Sequence, residues 1–337
     1  MKKTRVLLID MFNLFLRNFA TLPLTNDRGE HVGALFGCLQ SYAMYLEDFK
    51  PDIVLCAWEG KGSAKRRREI LKEYKEGRKF TGFNKIFEGD PEAETAALKD
   101  QLKKLREYLT VMPFYQASVD FLEADDLIAC CTQHVFNDPE QFENIIVSCD
   151  KDYIQLVNEY TALFRPVKTK KNRKGVFETV QTITEDLSCH PNNYILVKSI
   201  IGDTSDAIKG IAGVGIKTVV KNFPFLKTLK ESDDIYNTND IFEYANKRIQ
   251  EDKDVKYQKY IDNKDLILRN YELMQLLAPN VSAVSMKTIE QTFTNFTPRF
   301  KNTQFRIMLL RDNISPKRID KWIDLLTNLK PTQIQIQ

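Results

Sequence analysis

The sequence predicts an α/β fold on a central, mainly parallel, twisted sheet flanked by helices, with a helical C-terminal region. Three observations predict it. Short apolar runs rich in β-branched residues stand at 5–9 (RVLLI), 53–57 (IVLCA) and 145–149 (IIVSC), and each gives way to a helical pattern. Continuous apolar runs alternating with helices indicate strands buried on both faces of a parallel sheet. Each run also ends at or near an acid: Asp10, Glu59 and Asp150. In open α/β sheets the ligand crevice lies at the carboxyl ends of the strands.

Taken in order, MKKTRVLLIDMF is basic and then apolar, as an export signal would be. Asp10 interrupts the apolar stretch and no small-residue cleavage site follows, so a first strand is expected. Helical periodicity runs over 33–49 and 91–109; the second stretch starts on Pro91 with acids in its first turn. A fourth apolar stretch, VMPFY (111–115), precedes FLEADD (121–126). Beyond about residue 190 the chain turns helical and richer in Lys and Asn. The expected division is an α/β core over 1–190 and a helical region over 191–337. DDIYNTND (233–240) reads as a polar loop and the final PTQIQIQ as a frayed tail.

The chain has 337 residues, 43% apolar and 28% charged, as soluble globular proteins do. No run approaches the ~18 apolar residues of a membrane span. Cys38, Cys56, Cys130, Cys131, Cys149 and Cys189 form no C-x-x-C pair, so reduced, buried thiols in a cytoplasmic protein are expected. His31, His134 and His190 lack ligand spacing. Net charge is only +3, but 61–79 holds nine Lys/Arg against three Glu, and 165–174 holds six Lys/Arg and no acid. Each run alone reads as a solvated face; together they favour a polyanion partner.

Three constellations carry chemistry. The first is acidic: Glu123, Asp125 and Asp126, then Asp150 and Asp152, then Asp203 and Asp206. Acids before LIACC could serve a helix N-terminus, but that does not explain the other pairs. Converging carboxylates raise one another's pKa unless a cation compensates them. Mg²⁺ or Mn²⁺, which prefer oxygen ligands, would do so, and two such ions suit phosphodiester hydrolysis. The second is GIAGVGIKT (210–218), where Gly213 and Gly215 could turn backbone N–H groups toward a phosphate beside Lys217 and Thr218. It is neither a dinucleotide fingerprint nor a P-loop. The third is the basic run with EYKEGRK: Tyr74 beside Lys75 and Arg78 offers a stacking surface with cations, or else one packed tyrosine on a basic helix.

LLIDMFNLFLR (7–17), EYKEGR (73–78), LEADDLIA (122–129), VSCDKDYIQL (147–156) and GDTSDAIKGIAGVGIKT (202–218) occur in one order. In that order the chain resembles the flap endonuclease and 5′-nuclease family, which includes the 5′-nuclease domain of bacterial DNA polymerase I and the phage 5′-exonucleases and RNase H enzymes. The resemblance implies a PIN-like core and a metal-dependent nuclease acting on 5′ ends or flaps. It implies metal ligands at Asp10, Glu123, Asp125, Asp126, Asp150, Asp152, Asp203 and Asp206, with Asp150 catalytic, and a basic residue near the scissile phosphate at Lys75. Arg78 and Arg17 match basic residues nearby. Residues 65–95, with Lys65, Arg66 and Arg67, would form a helical arch over a 5′ single strand. Residues 195–225 would form a helix–hairpin–helix gripping duplex backbone, with a possible K⁺. Where the family has Asp after the second strand, this chain has Glu59; where the family has Asn and Pro, it has Ala207 and Lys209.

The expected function is a 5′→3′ exonuclease and flap endonuclease using two Mg²⁺ (or Mn²⁺) ions. Expected partners are flapped, nicked or 5′-ended DNA, with a single-strand-binding protein or polymerase as helper. The alternatives are an RNase H type nuclease on RNA·DNA hybrids and a non-catalytic junction-binding protein. A monomer in the cytoplasm (the host's, for a phage), away from membranes, is expected.

Overall fold

The computed structural model describes residues 2–78, 82–167, 175–232, 234–315, 317 and 319–331. Along the chain run β1 (Thr4–Asp10), α1 (Met11–Thr21), α2 (Gly33–Phe49), β2 (Ile53–Trp58), α3 (Lys65–Ile70), α4 (Pro91–Leu109), β3 (Tyr115–Ser118), α5 (Ala124–Cys130) and β4 (Phe142–Val147). Next come β5 (Thr161–Arg165), β6 (Val176–Glu178), α6 (Val180–Leu187), α7 (Tyr194–Ile201), β7 (Gly202–Asp203), β8 (Ile208–Lys209), α8 (Ile216–Asn222) and α9 (Thr238–Asp252). The last are α10 (Gln258–Asp262), α11 (Lys264–Met274), α12 (Ala283–Thr294), α13 (Asn302–Arg311) and α14 (Ile319–Asn328). The chain divides into two compact units: Met1–Lys61, Lys79–Cys149 and Val281–Gln337 form the first, and Gly62–Arg78 and Asp150–Asn280 the second.

The first unit holds the parallel sheet that the apolar runs predict. β1 pairs in parallel with β2 on one side and β4 on the other, and β2 pairs in parallel with β3. Every residue of β2 is buried, as a strand covered on both faces requires. α2 and α4 have the expected bounds. Asp90 caps α4 by accepting from Ala93 N at 2.9 Å, and Pro91 occupies the first helical position, where its missing N–H costs nothing. The apolar stretch at 111–115 is not itself a strand. The strand starts at Tyr115, past Pro113, which cannot donate to a ladder. α12 covers this edge: Phe293 packs on Tyr115 and Phe136 with ring centroids 5.2 and 5.1 Å apart. Phe305 of α13 meets Tyr108 at 5.7 Å, and Trp322 of α14 meets Phe36 at 6.1 Å.

α2 has no cap of its own, because Val32 stands where a polar residue normally would. Gln101 of α4, buried, supplies the acceptor: its Oε1 takes Ala34 N at 2.9 Å and Leu35 N at 3.1 Å. Its Nε2 is thereby fixed as a donor to His31 Nδ1, 2.8 Å away. His31 Nε2 then donates to Leu22 O at 2.9 Å. Beside this chain Asn84 donates to Phe19 O at 2.7 Å, and buried Glu94 accepts from the backbone N–H groups of Gly82, Phe83 and Asn84.

The second unit is mainly helical, with an antiparallel β5–β6 ladder and a short β7–β8 hairpin. α7, nearly all apolar, packs against α11, whose Asn270 donates to Ser199 O of α7 (3.0 Å) and to Lys209 O of β8 (2.8 Å). Residues 233–240 are not wholly loop. Asn237 and Asp240 make a reciprocal capping box, and α9 begins at Thr238. Much of the basic run at 165–174 (residues 168–174), part of the expected arch (79–81) and most of the expected tail (332–337) lie outside the described residues.

The hairpin turns through Ala207, which is held left-handed at φ +60°. A Cβ at that φ costs about 1 kcal/mol that Asn recovers by local hydrogen bonding. Ala207→Asn should raise stability by about 0.5–1 kcal/mol, a melting shift of roughly 1–3 °C by calorimetry; an unchanged or lower melting temperature refutes this.

Candidate metal centre

In the first unit the acids stand at strand ends and at one helix start. Asp10 is the last residue of β1; it accepts from Asn13 N at 3.1 Å and from Ser148 Oγ at 3.2 Å. Asn13 Oδ1 in turn accepts from Cys149 N at 3.0 Å, joining the ends of β1 and β4. Glu59 directly follows β2, and Ser118 Oγ donates to its carbonyl at 3.1 Å. Glu123 is the residue before α5 but makes no side-chain cap; Asp125 and Asp126 lie in the first helical turn. Glu123 and Asp126 are buried. The macrodipole of α5 favours these charges, so the helix-start role and a ligand role share one geometry.

In the second unit each acid has a built environment. Asp150 Oδ1 accepts from Asp152 N at 2.9 Å and caps the turn Lys151–Leu156. Lys198 Nζ lies 2.9 Å from Asp152 Oδ1 and also bonds Asp203 Oδ2. Asp203 accepts from Ser205 N (2.8 Å) and Ser205 Oγ (2.6 Å). Arg78 bonds Asp206 Oδ1. Burial works against the Lys198 and Arg78 charges, but the carboxylates of Asp152 and Asp203, and of Asp206, outweigh it and hold both cations protonated. Asp203 goes below the usual carboxylate range, since Lys198 and Ser205 outweigh its desolvation. Asp152 goes the other way, pushed up to about 7, first by burial and then by Asp150, against the pull of Lys198.

The raised Asp152 carboxyl has a measurable sign. Its folded-state value lies above its unfolded one, so its contribution is present below about pH 4 and is lost as pH rises through about 7. Asp152→Asn also takes a partner from Lys198, so the expected signature is the pH dependence: the variant should compare better with wild type in the metal-free protein at pH 8 than at pH 5. Calorimetry in EDTA at both pH values checks this, and a stability difference of equal size at both would refute it.

EYKEGR is fastened within the second unit. Tyr74 is buried with Ile195, Ile208, Leu273 and Met274. Lys75, left-handed at φ +57°, donates its N–H to Asp206 O at 3.0 Å. The segment bearing Lys75 and Arg78 is thus bolted to the turn bearing Asp203 and Asp206. Two sequence expectations change. Tyr74 is an anchor and not a stacking platform, because its ring is 3% exposed. Arg67 is equally buried, with Nε donating to Leu273 O at 2.9 Å, so it offers no free cation to nucleic acid. Lys65 is exposed, and Arg66 and Arg17 are half-buried.

Gly213 sits at φ +72° and Gly215 precedes α8; a Cβ at either would meet nothing within 4 Å. Both are exposed, as is Lys217 two residues into the helix, while Thr218 is half-buried. At the far end of α8, the Phe223 ring lies 4.8 Å from that of Tyr260, and Asn222 donates to Tyr260 Oη at 2.7 Å.

Lys198, which pairs with Asp152 and Asp203, is a residue that the motifs do not bring forward. Its signal was one charge in an otherwise apolar helix, YILVKSII. Asn13 and Ser148 were missed for lack of any charge. Among the described residues no group of three His, Cys, Asp or Glu is gathered tightly enough to hold an ion as the chain stands.

The family model described as "5′-3′ exonuclease, N-terminal resolvase-like domain" matches residues 5–185. The chain belongs to this 5′-3′ exonuclease family. It is 30% identical to DNA polymerase I of Bacillus subtilis (strain 168) over 321 residues, 92% of this chain and 32% of that protein. It is 31% identical to DNA polymerase I of Streptococcus pneumoniae over 230 residues, 66% of this chain and 24% of that one. The chain thus spans a third or less of these relatives. In fold it is similar to the bacteriophage T5 D15 protein co-crystallised with metal ions: TM-score 0.60, 18% identity, 91% of this chain and 99% of that one. The D15 flap endonuclease in a complex with DNA and metal ions is matched at TM-score 0.59 and 18% identity, over 92% and 100% of the two chains. No helix among the described residues of this 5′-3′ exonuclease family member is long and apolar enough to cross a membrane.

The donor set fits a hard divalent cation. The acids offer oxygen ligands only, and in the second unit two of them have drawn a buried lysine between them. Carboxylates that recruit an ammonium in this way demand positive charge.

Proposed function

We propose that the chain is a metal-dependent 5′→3′ nuclease with exonuclease and flap-endonuclease character. The observation that best supports it is the docking of EYKEGR onto the turn of Asp203 and Asp206, which fixes a cationic segment beside paired acids. Asp10, Glu59, Glu123, Asp125, Asp126, Asp150, Asp152, Asp203 and Asp206 are the proposed metal-binding set, with Mg²⁺ or Mn²⁺ as the ions. When bound, such ions supply Lewis acidity and lower the pKa of an attacking water. The protein's own groups do the rest. Lys75 directs its ammonium at charge developing on the phosphate, and Arg78 holds Asp206 in place. The Gly213–Thr218 turn offers backbone N–H groups and Lys217 to duplex phosphates, which gives binding with little sequence preference and steep salt dependence.

The test is cleavage of a labelled 5′-flap DNA beside an RNA·DNA hybrid, with Mg²⁺, Mn²⁺ or EDTA. Flap cleavage that needs the ion is expected. Cleavage of the hybrid alone would replace the substrate, and cleavage of neither would overturn the proposal.

A further inference from the structure

Lys198 stands between two of the proposed metal-binding acids, Asp152 and Asp203. Its side chain is 8% exposed, and its Nζ sits between Asp152 and Asp203, 2.9 Å from the former and closer to the latter. The Asp203 carboxylate is pinned from behind by Ser205 N and Oγ, and the Asp152 backbone N–H is held by Asp150 Oδ1. A Mg²⁺ or Mn²⁺ ion liganded by these acids stands about 2.1 Å from their oxygens. An ion that takes Asp152 Oδ1 and Asp203 Oδ2, the two oxygens Lys198 holds, stands in the gap the ammonium fills, and two cations so close in a half-buried site repel strongly. Ion and ammonium exclude each other.

We infer that Lys198 is a resident counter-cation, which neutralises Asp152 and Asp203 in the metal-free protein and must be displaced for a divalent ion to bind them. This rests on the proposed metal-binding role of those two acids. The lysine keeps the acids from repelling one another while the ion is absent, and it lowers ion affinity by competing for the same oxygens. A residue that merely braced the ligands would act in the opposite direction, because its loss would weaken the ion.

Three measurements on the full chain decide it. Mn²⁺ titration followed by electron paramagnetic resonance should show at least about tenfold tighter binding of one ion in Lys198→Met than in the wild type, with Lys198→Arg close to wild type. In the wild type, brief acylation with acetic anhydride should modify Lys198 several-fold faster once Mn²⁺ is saturating, with exposed Lys221 as internal reference; this readout holds even if Lys198→Met does not fold. Metal-free Lys198→Met should also melt lower than wild type. If wild type binds Mn²⁺ but Lys198→Met binds it equally or more weakly, or Lys198 stays protected at saturation, the displacement is wrong while the metal site stands. If wild type binds no Mn²⁺, the metal site itself falls, and this inference with it.

Discussion

Asp150→Asn is expected to lower ion-dependent cleavage of a 5′-flap substrate at least about a thousandfold while leaving the fold unchanged. The two halves have separate physical grounds. Asp150 caps the turn Lys151–Leu156 through one oxygen, and Asn caps as well as Asp, so stability should stay within about 0.5 kcal/mol. What Asn lacks is the negative charge that a hard cation demands. Lys75→Ala should cost about a hundred- to thousandfold, the size seen when one group that stabilises developing charge is removed. Lys75 is left-handed, and Ala bears that backbone no better and no worse than Lys, so no new strain enters. Both variants should bind junction DNA within a few-fold of wild type by anisotropy. Cleavage at wild-type rate by either one removes that residue from the chemistry.

Gln101→Leu should destabilise the protein by about 3 kcal/mol. One buried amide serves three partners: the N–H groups of Ala34 and Leu35 at the uncapped start of α2, and His31 Nδ1. Leu is of similar volume but leaves all three without a partner. The loss should also depend on pH. Burial holds His31 below its ordinary value, so its contribution is present above about pH 6.5 and is lost as pH falls through the folded-state value. Gln101 enforces this by pointing a donor at the nitrogen that would take the proton. Without it His31 charges more easily, and the stability gap between wild type and variant should shrink from pH 7 to pH 5. Urea melts at both values check this; a constant or widening gap contradicts it.

The sheet was legible because β1, β2 and the buried second half of β4 (145–147) are continuous apolar runs, although β4 begins three residues earlier on Phe142, Glu143 and Asn144, and α2 and α4 because their periodicity is long and α4 carries a cap and a proline. The acids were legible because strand ends and repeated carboxylate pairs are visible one segment at a time. Tyr74 was not, since a tyrosine among cations reads alike whether its ring faces a base or a core. Gln101 acts on Ala34, 67 positions away, and Lys198 joins nearby Asp203 to Asp152, 46 positions away; no local pattern carries those longer distances. Nor do the amphipathic faces of α12 to α14 say which surface they cover.

That last point bears on how the molecule is made. The first unit is interrupted twice and recovers Val281–Gln337 only after the whole second unit has been threaded through. During synthesis the second unit has all its residues while the first still lacks the helix that shields β3. For that interval Tyr115 and Phe136 lack the cover of Phe293, and the outer edge of β3, without α12, is a template for mispairing with another nascent chain. Truncating the chain near residue 280 makes that interval permanent. The shortened protein retains every acid named above and yet should aggregate, because what it lacks is protection and not chemistry.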